Sequence, residues 1–303
     1  MARLGYVRNR AARSTFPRRT GVIALVVCEA ESKLFSDAFF SRILRGVRRE
    51  LTHGEHQYGE QQLVLLTADS ASEYRAAARY LRSGHVDGAM FVSMHGRHPI
   101  ELDAIDIPIV FCARPIAGYA SLSYVDADNR TGASRAVRHL IGSGRRVVAT
   151  VAGPPDMAPG VDRLKGYRDA VASAHMSDSG LIVYGDFSQA SGEHALYRLL
   201  DRRPDIEAVF AASDLMAAGV LRALHRTGRK APHDVAVGRL RRRPSRPSHD
   251  TAADHDPPAH RGNGCPDDRR AGFPGQRGRA RPAMYSFRHR ARAAGICLTR
   301  LLS

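Results

Sequence analysis

The stretch VIALVV, at residues 22–27, is short, rich in β-branched side chains and apolar along its whole length. Strands that are covered by helices on both faces have this composition, whereas strands with one wet face alternate apolar and polar residues. Beyond it, apolar side chains recur at helical spacing, at Phe39, Phe40, Ile43, Leu44 and Val47. The stretch therefore predicts a buried parallel strand that is followed by a covering helix.

Strands and helices alternate on both sides of a linker, which shows no apolar periodicity. Before the linker, further strands are predicted at residues 62–68, 88–93 and 107–112, with a helix at 72–83. After the linker, strands are predicted at residues 147–153, 181–186, 208–213 and 234–238, and helices at 132–142, 163–174, 191–200 and 215–228. Such series form doubly wound α/β sheets with right-handed crossovers. Two similar halves predict two lobes and a ligand cleft beyond the carboxyl ends of their strands.

The charge of the chain is concentrated at its two ends. The formal net charge is +16, yet residues 21–238 hold equal numbers of basic and acidic side chains. Residues 1–20 contain six Arg and no acid, and residues 239–303 contain 15 Arg against five Asp, together with seven of the 16 prolines. A composition of this second kind cannot bury enough apolar surface to offset chain entropy. We therefore expect a mostly disordered tail, with a weak helix at residues 291–302.

Several functional classes are disfavoured by what the sequence lacks. It has no run of about 18 apolar residues and no apolar core of a signal peptide, so a cytoplasmic protein without a membrane partner is expected. It has no phosphate-binding loop, and no nucleophilic side chain stands at a recognisable motif spacing from a side chain that could act as its base. We therefore expect neither an enzyme nor a bound cofactor. The cysteines lack metal-site spacing, and no metal or disulfide is expected; they are Cys28, Cys112, Cys265 and Cys297. Of four histidines on predicted helices or turns, most are expected in solvent; they are His139, His175, His194 and His225.

Several motifs of the neutral body occur together in a familiar order. They are FFSRILRGV (39–47), VDGAMF (86–91), VDADNRTGASRAVRHLIGSG (125–144), VAGPP (151–155), DRLKGYRDA (162–170) and AVFAASDLMAAGVLRAL (208–224). In this order and spacing they resemble the effector domain of lactose-repressor-type (LacI/GalR) transcription regulators. That family shares its two-lobed fold, of periplasmic-binding-protein type I, with periplasmic sugar-binding proteins.

The resemblance implies three regions. Residues 1–20 would be a hinge remnant of the DNA-binding region, and residues 239–303 an aberrant tail. Residues 21–238 would be the effector-binding domain, with its first lobe at about 21–128 and its second at about 129–238.

The resemblance also implies effector contacts. Arg163 matches an arginine that clamps the ligand, and a forked guanidinium suits vicinal oxygens; the alternative is a surface arginine at a helix start. Phe39 and Phe40 match a pair that stacks on the effector, although at least one of them is expected in the core.

Four further positions are candidates of lesser weight. Ser213 matches a position that touches the ligand, and Asp214 follows it at the start of a helix, where an N-cap is its expected role. Ser93, at a strand end, and Asn129, in the crossover, match ligand positions; the alternative for both is ordinary loop structure.

The segment LGYVRNRAARS, at residues 4–14, resembles the hinge helix of the family. In family members this helix enters the minor groove and kinks the duplex with a leucine wedge. Arg8 stands where a proline is common, and Thr15 stands where the wedge is expected. The implied DNA contacts are Asn9, Arg10, Arg13 and Ser14. A frayed basic terminus is the alternative, since short helices are marginal alone.

Both ends of the chain depart from the family pattern. The helix-turn-helix that precedes the hinge has no counterpart before Met1. After Gly238 the family continues with Phe-Asp-Asp, whereas this chain has RLRRRP at residues 239–244. Codons for residues 240–243 that are read one base later give Phe-Asp-Asp, and the same offset at residues 253–264 gives the family segment Leu-Thr-Thr-Ile-Arg-Gln-Pro. We therefore expect a reading-frame shift near Gly238.

The sequence favours a LacI-type regulator, with repression as its expected mode of action. A small polar effector, expected to be a sugar, would close the lobes and reposition the hinge helices of a homodimer on operator DNA, provided that a helix-turn-helix lies upstream. A solute-binding protein of the same fold is the alternative, disfavoured by the missing export signal and the hinge-like segment. A third possibility is a non-functional remnant.

We expect the chain of 303 residues to bind DNA without sequence preference, because phosphate contacts alone are salt-sensitive and carry no base readout. A gel-shift assay at physiological salt would check this. A discrete shifted complex at one DNA sequence, resistant to unrelated competitor, would contradict it.

Overall fold

The computed structural model describes residues 19–53, 60–96, 105–116 and 123–240. Apart from residues 19–20 and 239–240, the predicted hinge and tail lie outside the described residues. The proposed DNA contacts Asn9, Arg10, Arg13 and Ser14 also lie outside them.

The first lobe is built on a five-stranded parallel sheet. Its elements are β1 (Val22–Val27), α1 (Glu31–Ser36), α2 (Ala38–His53), β2 (Gln62–Thr67), α3 (Ala71–Arg82), β3 (Gly88–Val92), β4 (Ile109–Cys112) and β5 (Ser123–Val125). The strand order is β2-β1-β3-β4-β5. Strand β1 pairs in parallel with β2 on one side and with β3 on the other.

The two faces of β1 explain its continuous apolar sequence. Ala24 and Val26 pack into a cluster with side chains of α3. Ile23, Leu25 and Val27 point to the opposite face, where α2 covers them. All five side chains are at most 1% exposed, as expected for a strand that is covered on both sides.

The second lobe repeats this design with four parallel strands. Its elements are α4 (Asn129–Gly142), β6 (Val148–Ala152), α5 (Ala158–Ser173), β7 (Ile182–Tyr184), α6 (Gln189–Arg202), β8 (Ala208–Ala211), α7 (Asp214–Arg226) and β9 (Ala236–Arg239). The strand order is β7-β6-β8-β9. Helices α4 and α5 cover one face, and α6 and α7 cover the other. The predicted fold class is therefore confirmed.

Two elements differ from the predictions because they are short. Helix α1 was not predicted, and β5 lies where a linker was expected. Strand β5 has only three residues, too few for a period, yet Tyr124 aligns in parallel with Phe111 of β4. Two helices begin at least three residues earlier than predicted, α4 at Asn129 and α5 at Ala158.

The two cysteines within the described residues differ in burial. Cys28 is 1% exposed, and burial raises the pKa of its thiol to about 12. Cys112 is partly buried, and neither of these cysteines is in a disulfide. Cys28 therefore behaves as a small apolar core residue. Cys265 and Cys297 lie outside the described residues.

Among the helices of the described residues, none is both long and apolar enough to cross a bilayer.

Helices α6 and α7 approach so closely that only glycine fits between them. A Cβ on Gly219 would overlap the carbonyl oxygen of Gln189 and lie 2.7 Å from the backbone nitrogen of Glu193. We expect Gly219→Ala to lower the free energy of unfolding by about 1–3 kcal/mol, the usual cost of overpacking. Urea denaturation would measure this.

Gly142→Ala is the matched control, since a Cβ there meets no atom within 4 Å. Its stability should be unchanged or slightly raised, because alanine is the better helix former. Equal effects of the two substitutions would contradict the close approach.

Candidate functional site

A cavity of about 340 Å³ opens between the two lobes. Its wall is formed by residues that follow strands in both sheets, together with residues of α1, α2 and α5. This is where ligands bind in open α/β sheets. The structure brings all seven of the predicted ligand residues to this wall, namely Phe39, Phe40, Ser93, Asn129, Arg163, Ser213 and Asp214.

Arg163 is held in a fixed orientation inside this cleft. Its Nε donates a hydrogen bond to Oδ1 of Asn129 at 2.9 Å, and its Nη1 donates to the carbonyl oxygen of Ala212 at 2.7 Å. Its Cζ lies 5.5 Å from the ring centroid of Phe187. Since α5 begins at Ala158, Arg163 lies in the second turn and not at the helix start.

Asn129 is oriented by Asp126, a residue that the sequence analysis missed. Asn129 is 3% exposed, and its Nδ2 donates to Oδ1 of Asp126 at 2.8 Å and to the carbonyl oxygen of Ala127 at 3.1 Å. The other oxygen of Asp126 accepts from the backbone nitrogen of Arg114 at 3.0 Å. Because its amide nitrogen is satisfied there, Asn129 turns its carbonyl oxygen toward Arg163.

The aromatic pair on α2 divides between core and cavity. The rings of Phe39 and Phe40 lie edge to face, with their centroids 5.2 Å apart. Phe40 is 3% exposed and belongs to the core of the first lobe. Phe39 is partly buried against that core. One phenylalanine is thus a core residue, as expected, and Phe39 is the better placed to contact a ligand.

Three residues of the wall have a strained backbone. Among the described non-glycine residues, positive φ occurs at Ser93 (60°), Ala113 (85°), His175 (54°) and Phe187 (71°). All except His175 line the cavity. Such conformations cost free energy and concentrate at ligand-binding sites. The backbone strain therefore indicates a ligand-binding site at this wall, independently of the family resemblance.

The start of α7 corrects one prediction. Ser213, and not Asp214, is the N-cap, because its Oγ accepts a hydrogen bond from the backbone nitrogen of Met216 at 3.1 Å. The same Oγ donates to the carbonyl oxygen of Phe187 at 3.1 Å. Asp214 is the first helical residue, and its Oδ1 lies 2.7 Å from Nη1 of Arg239.

The wall residues that the sequence analysis missed include these five: Glu29, Lys33, Asp126, Phe187 and Arg239. Four of them follow or end a strand, which was the available signal, and Lys33 lies on the unpredicted α1. The Nζ of Lys33 donates to Oε1 of Glu29 at 2.9 Å and to the carbonyl oxygen of Asp186, in the second lobe, at 2.8 Å. This lysine therefore connects the two lobes across the wall.

The described residues contain no group of three His, Cys, Asp or Glu side chains that could hold a metal ion. The histidines predicted in solvent are exposed, at His139, His175, His194 and His225. His95 behaves differently, since it is 7% exposed.

Comparison with protein families identifies the class. The family described as periplasmic binding proteins and sugar binding domain of LacI family matches residues 20–242. The chain belongs to this LacI family. It is similar to the HTH-type transcriptional regulator CelR of Thermobifida fusca, with 46% identity over 238 residues that cover 77% of this chain and 68% of the relative.

Other relatives are also regulators. The HTH-type transcriptional regulator AscG of Escherichia coli is 32% identical over 77% of this chain and 68% of its own length. The ribose operon repressor of Halalkalibacterium halodurans is 26% identical over 77% of this chain and 66% of its own length. A solved structure, the transcriptional regulator CelR-cellobiose complex, superposes with a TM-score of 0.69 at 44% identity, covering 78% of this chain and 69% of that chain.

The chain thus spans about two thirds of the length of these relatives. Because they are transcriptional regulators and repressors, they favour the regulator hypothesis over a free solute-binding protein.

We expect Ser213→Ala to lower the free energy of unfolding by about 1 kcal/mol, because the N-cap of α7 is lost. Asp214→Ala should cost only about 0.5 kcal/mol, since the exposed ion pair with Arg239 contributes little. Thermal unfolding of both variants would measure the difference.

Ser213→Thr is the control, because it keeps the capping hydroxyl of the Ser213 position and threonine is nearly as good an N-cap. The assignment of the cap would be wrong if Asp214→Ala were the more destabilising substitution.

Proposed function

We propose that this domain binds a neutral disaccharide of β-linked glucose units in the cleft, and that binding controls the affinity of a transcription regulator for DNA. The observation that carries the proposal is Arg163, which is fixed over the ring of Phe187 in a cavity that both lobes enclose. The similarity to a regulator solved with cellobiose supports the choice of sugar.

The wall has the groups that a sugar needs. Pyranose rings have an apolar face, which packs on aromatic side chains such as Phe39 and Phe187, and a rim of hydroxyls. Those hydroxyls accept hydrogen bonds from the guanidinium of Arg163 and donate to carboxylates such as Asp37 and Asp214. Apolar packing and polar recognition thus come from the same cavity.

The charge of the wall favours an uncharged ligand. Four acidic and four basic side chains line the cavity, so their charges balance: Glu29, Asp37, Asp126 and Asp214 against Lys33, Arg42, Arg163 and Arg239. Two pairs are formed within the wall, between Lys33 and Glu29 and between Arg239 and Asp214. A phosphorylated or acidic sugar would add an uncompensated charge.

The predicted site residues take different roles in this proposal. Phe39, Ser93, Arg163, Ser213 and Asp214 contact the ligand from the two lobes. Phe40 supports Phe39 from the core, and Asn129 holds Arg163. A ligand that contacts both lobes stabilises their closed arrangement, because it binds that arrangement better than the open one.

We further infer a cytoplasmic homodimer that acts as a binding module and not as an enzyme. Provided that a helix-turn-helix lies upstream, closure would reposition paired hinge helices on operator DNA, with Asn9, Arg10, Arg13 and Ser14 as the proposed contacts. The regulators among the relatives support this inference.

Isothermal titration calorimetry with cellobiose, glucose and lactose tests the ligand. Cellobiose should bind with the highest affinity. Arg163→Lys should lower its affinity about tenfold or more, because lysine keeps the charge but loses the fork, and hydrogen bonds to charged groups contribute about 1.5–3 kcal/mol.

Arg168→Lys is the matched control on the same helix, since the Arg168 side chain is 55% exposed and pairs with Asp178 at 3.3 Å. It should bind cellobiose as the unaltered chain does. An equal loss in both variants, or no binding of any disaccharide, would contradict the proposal.

A further inference from the structure

His95 joins the lobes beside the cavity without lining it. It follows β3 of the first lobe and is 7% exposed. Its Nδ1 lies 2.9 Å from Oδ2 of Asp156 in the second lobe. The backbone nitrogen of the next residue, Gly96, donates to the carbonyl oxygen of Asp156 at 2.9 Å. Asp156 therefore accepts two hydrogen bonds from the first lobe.

The other ring nitrogen of His95 faces a second carboxylate. Its Nε2 lies 3.5 Å from Oε1 of Glu29, a side chain in the first lobe that is itself 9% exposed. That oxygen also accepts from Nζ of Lys33 at 2.9 Å, and Lys33 reaches the carbonyl oxygen of Asp186 at 2.8 Å. One buried carboxylate thus organises two basic side chains, and each of them contacts the second lobe.

We propose that Glu29, Lys33, His95 and Asp156 form a latch that holds the lobes together without bound ligand, and that protonation of His95 sets its strength. The latch regulates the cleft in which the effector is proposed to bind. Its effect on effector affinity rests on the proposed function.

The chemistry of imidazole makes the latch sensitive to pH. Neutral histidine has one N–H donor, so only one of the two carboxylates can accept from it. The imidazolium donates from both nitrogens and compensates both charges. Burial alone would lower the pKa of His95, but the hydrogen bonds and charges of Glu29 and Asp156 outweigh it, and the pKa is raised above 6.5.

Among the described residues, Tyr74 and Cys28 near His95 do not change charge in the same range. Burial raises the pKa of Tyr74, on α3, whose hydroxyl faces the backbone of His95, so that hydroxyl stays neutral. Burial likewise raises the pKa of Cys28 to about 12. Lys33 acts on His95 through Glu29. The pH dependence of the latch is therefore assigned to His95.

The direction of the pH dependence follows from the raised pKa of His95. Opening the lobes separates His95 from Asp156 and returns its pKa toward the ordinary value of 6.5. The stabilisation of the closed arrangement is fully present below 6.5 and is lost as the pH rises through the raised pKa. Closure, and with it effector affinity, should therefore decrease as the pH rises.

NMR titration of the full chain tests the latch without a ligand. The His95 ring signal, assigned by its loss in His95→Gln, should titrate with a pKa above 6.5. Asp156→Asn should lower that pKa, because one carboxylate is removed. A pKa at or below 6.5, or one that Asp156→Asn leaves unmoved, overturns the proposal.

Cellobiose affinity tests the consequence. Between about pH 6 and pH 8.5 it should fall about fivefold or more, a typical coupling between sites, and His95→Gln should abolish this dependence. The control His225→Gln alters an exposed histidine on α7 and should retain it. A pH dependence that persists in His95→Gln overturns the proposal. If cellobiose does not bind at any pH, the proposed function fails, and the NMR titration alone decides on the latch.

Discussion

The direction of the strands brings the strand-end side chains of the cleft together. Because all strands within each sheet are parallel, their carboxyl ends meet at one edge, and the two edges face each other. A parallel sheet needs helices on both faces, which requires apolar side chains in both directions along each strand. The sequence VIALVV meets that requirement. Polar residues that follow such strands, among them Glu29, Ser93 and Asp126, then line the cleft.

The sequence predicted most of this architecture because long apolar patterns determine it. The buried strand β1 and the helix behind it follow from spacing alone, whereas Arg163 and Asn129 came from the resemblance. Strand β5 was missed because three residues carry no period, and Asp126 was missed with it. Ser213 and Asp214 are both good capping residues, so composition could not choose between them. The backbone geometry in the structure made that choice.

Sequence patterns could not predict the contacts between residues that are far apart in the chain. His95 and Asp156 are 61 positions apart, and neither stands in a motif that suggests the other. Lys33 and Asp186 are 153 positions apart. Such pairs exist only because two separately folded sheets come together, and the amino acids that form them are common on any surface. The net charge of +16 was equally uninformative about the cleft, where acidic and basic side chains balance.

The close approach of α6 and α7 at Gly219 has a mechanical consequence. Because the backbones of the two helices are in direct contact there, no flexible side chain between them can adjust. Close-packed interiors of this kind transmit strain. The second lobe should therefore move as a rigid body, and among the described residues deformation should concentrate in the short connection between Val125 of β5 and Asn129 of α4. Small displacements at the cleft would then be amplified with distance from that pivot.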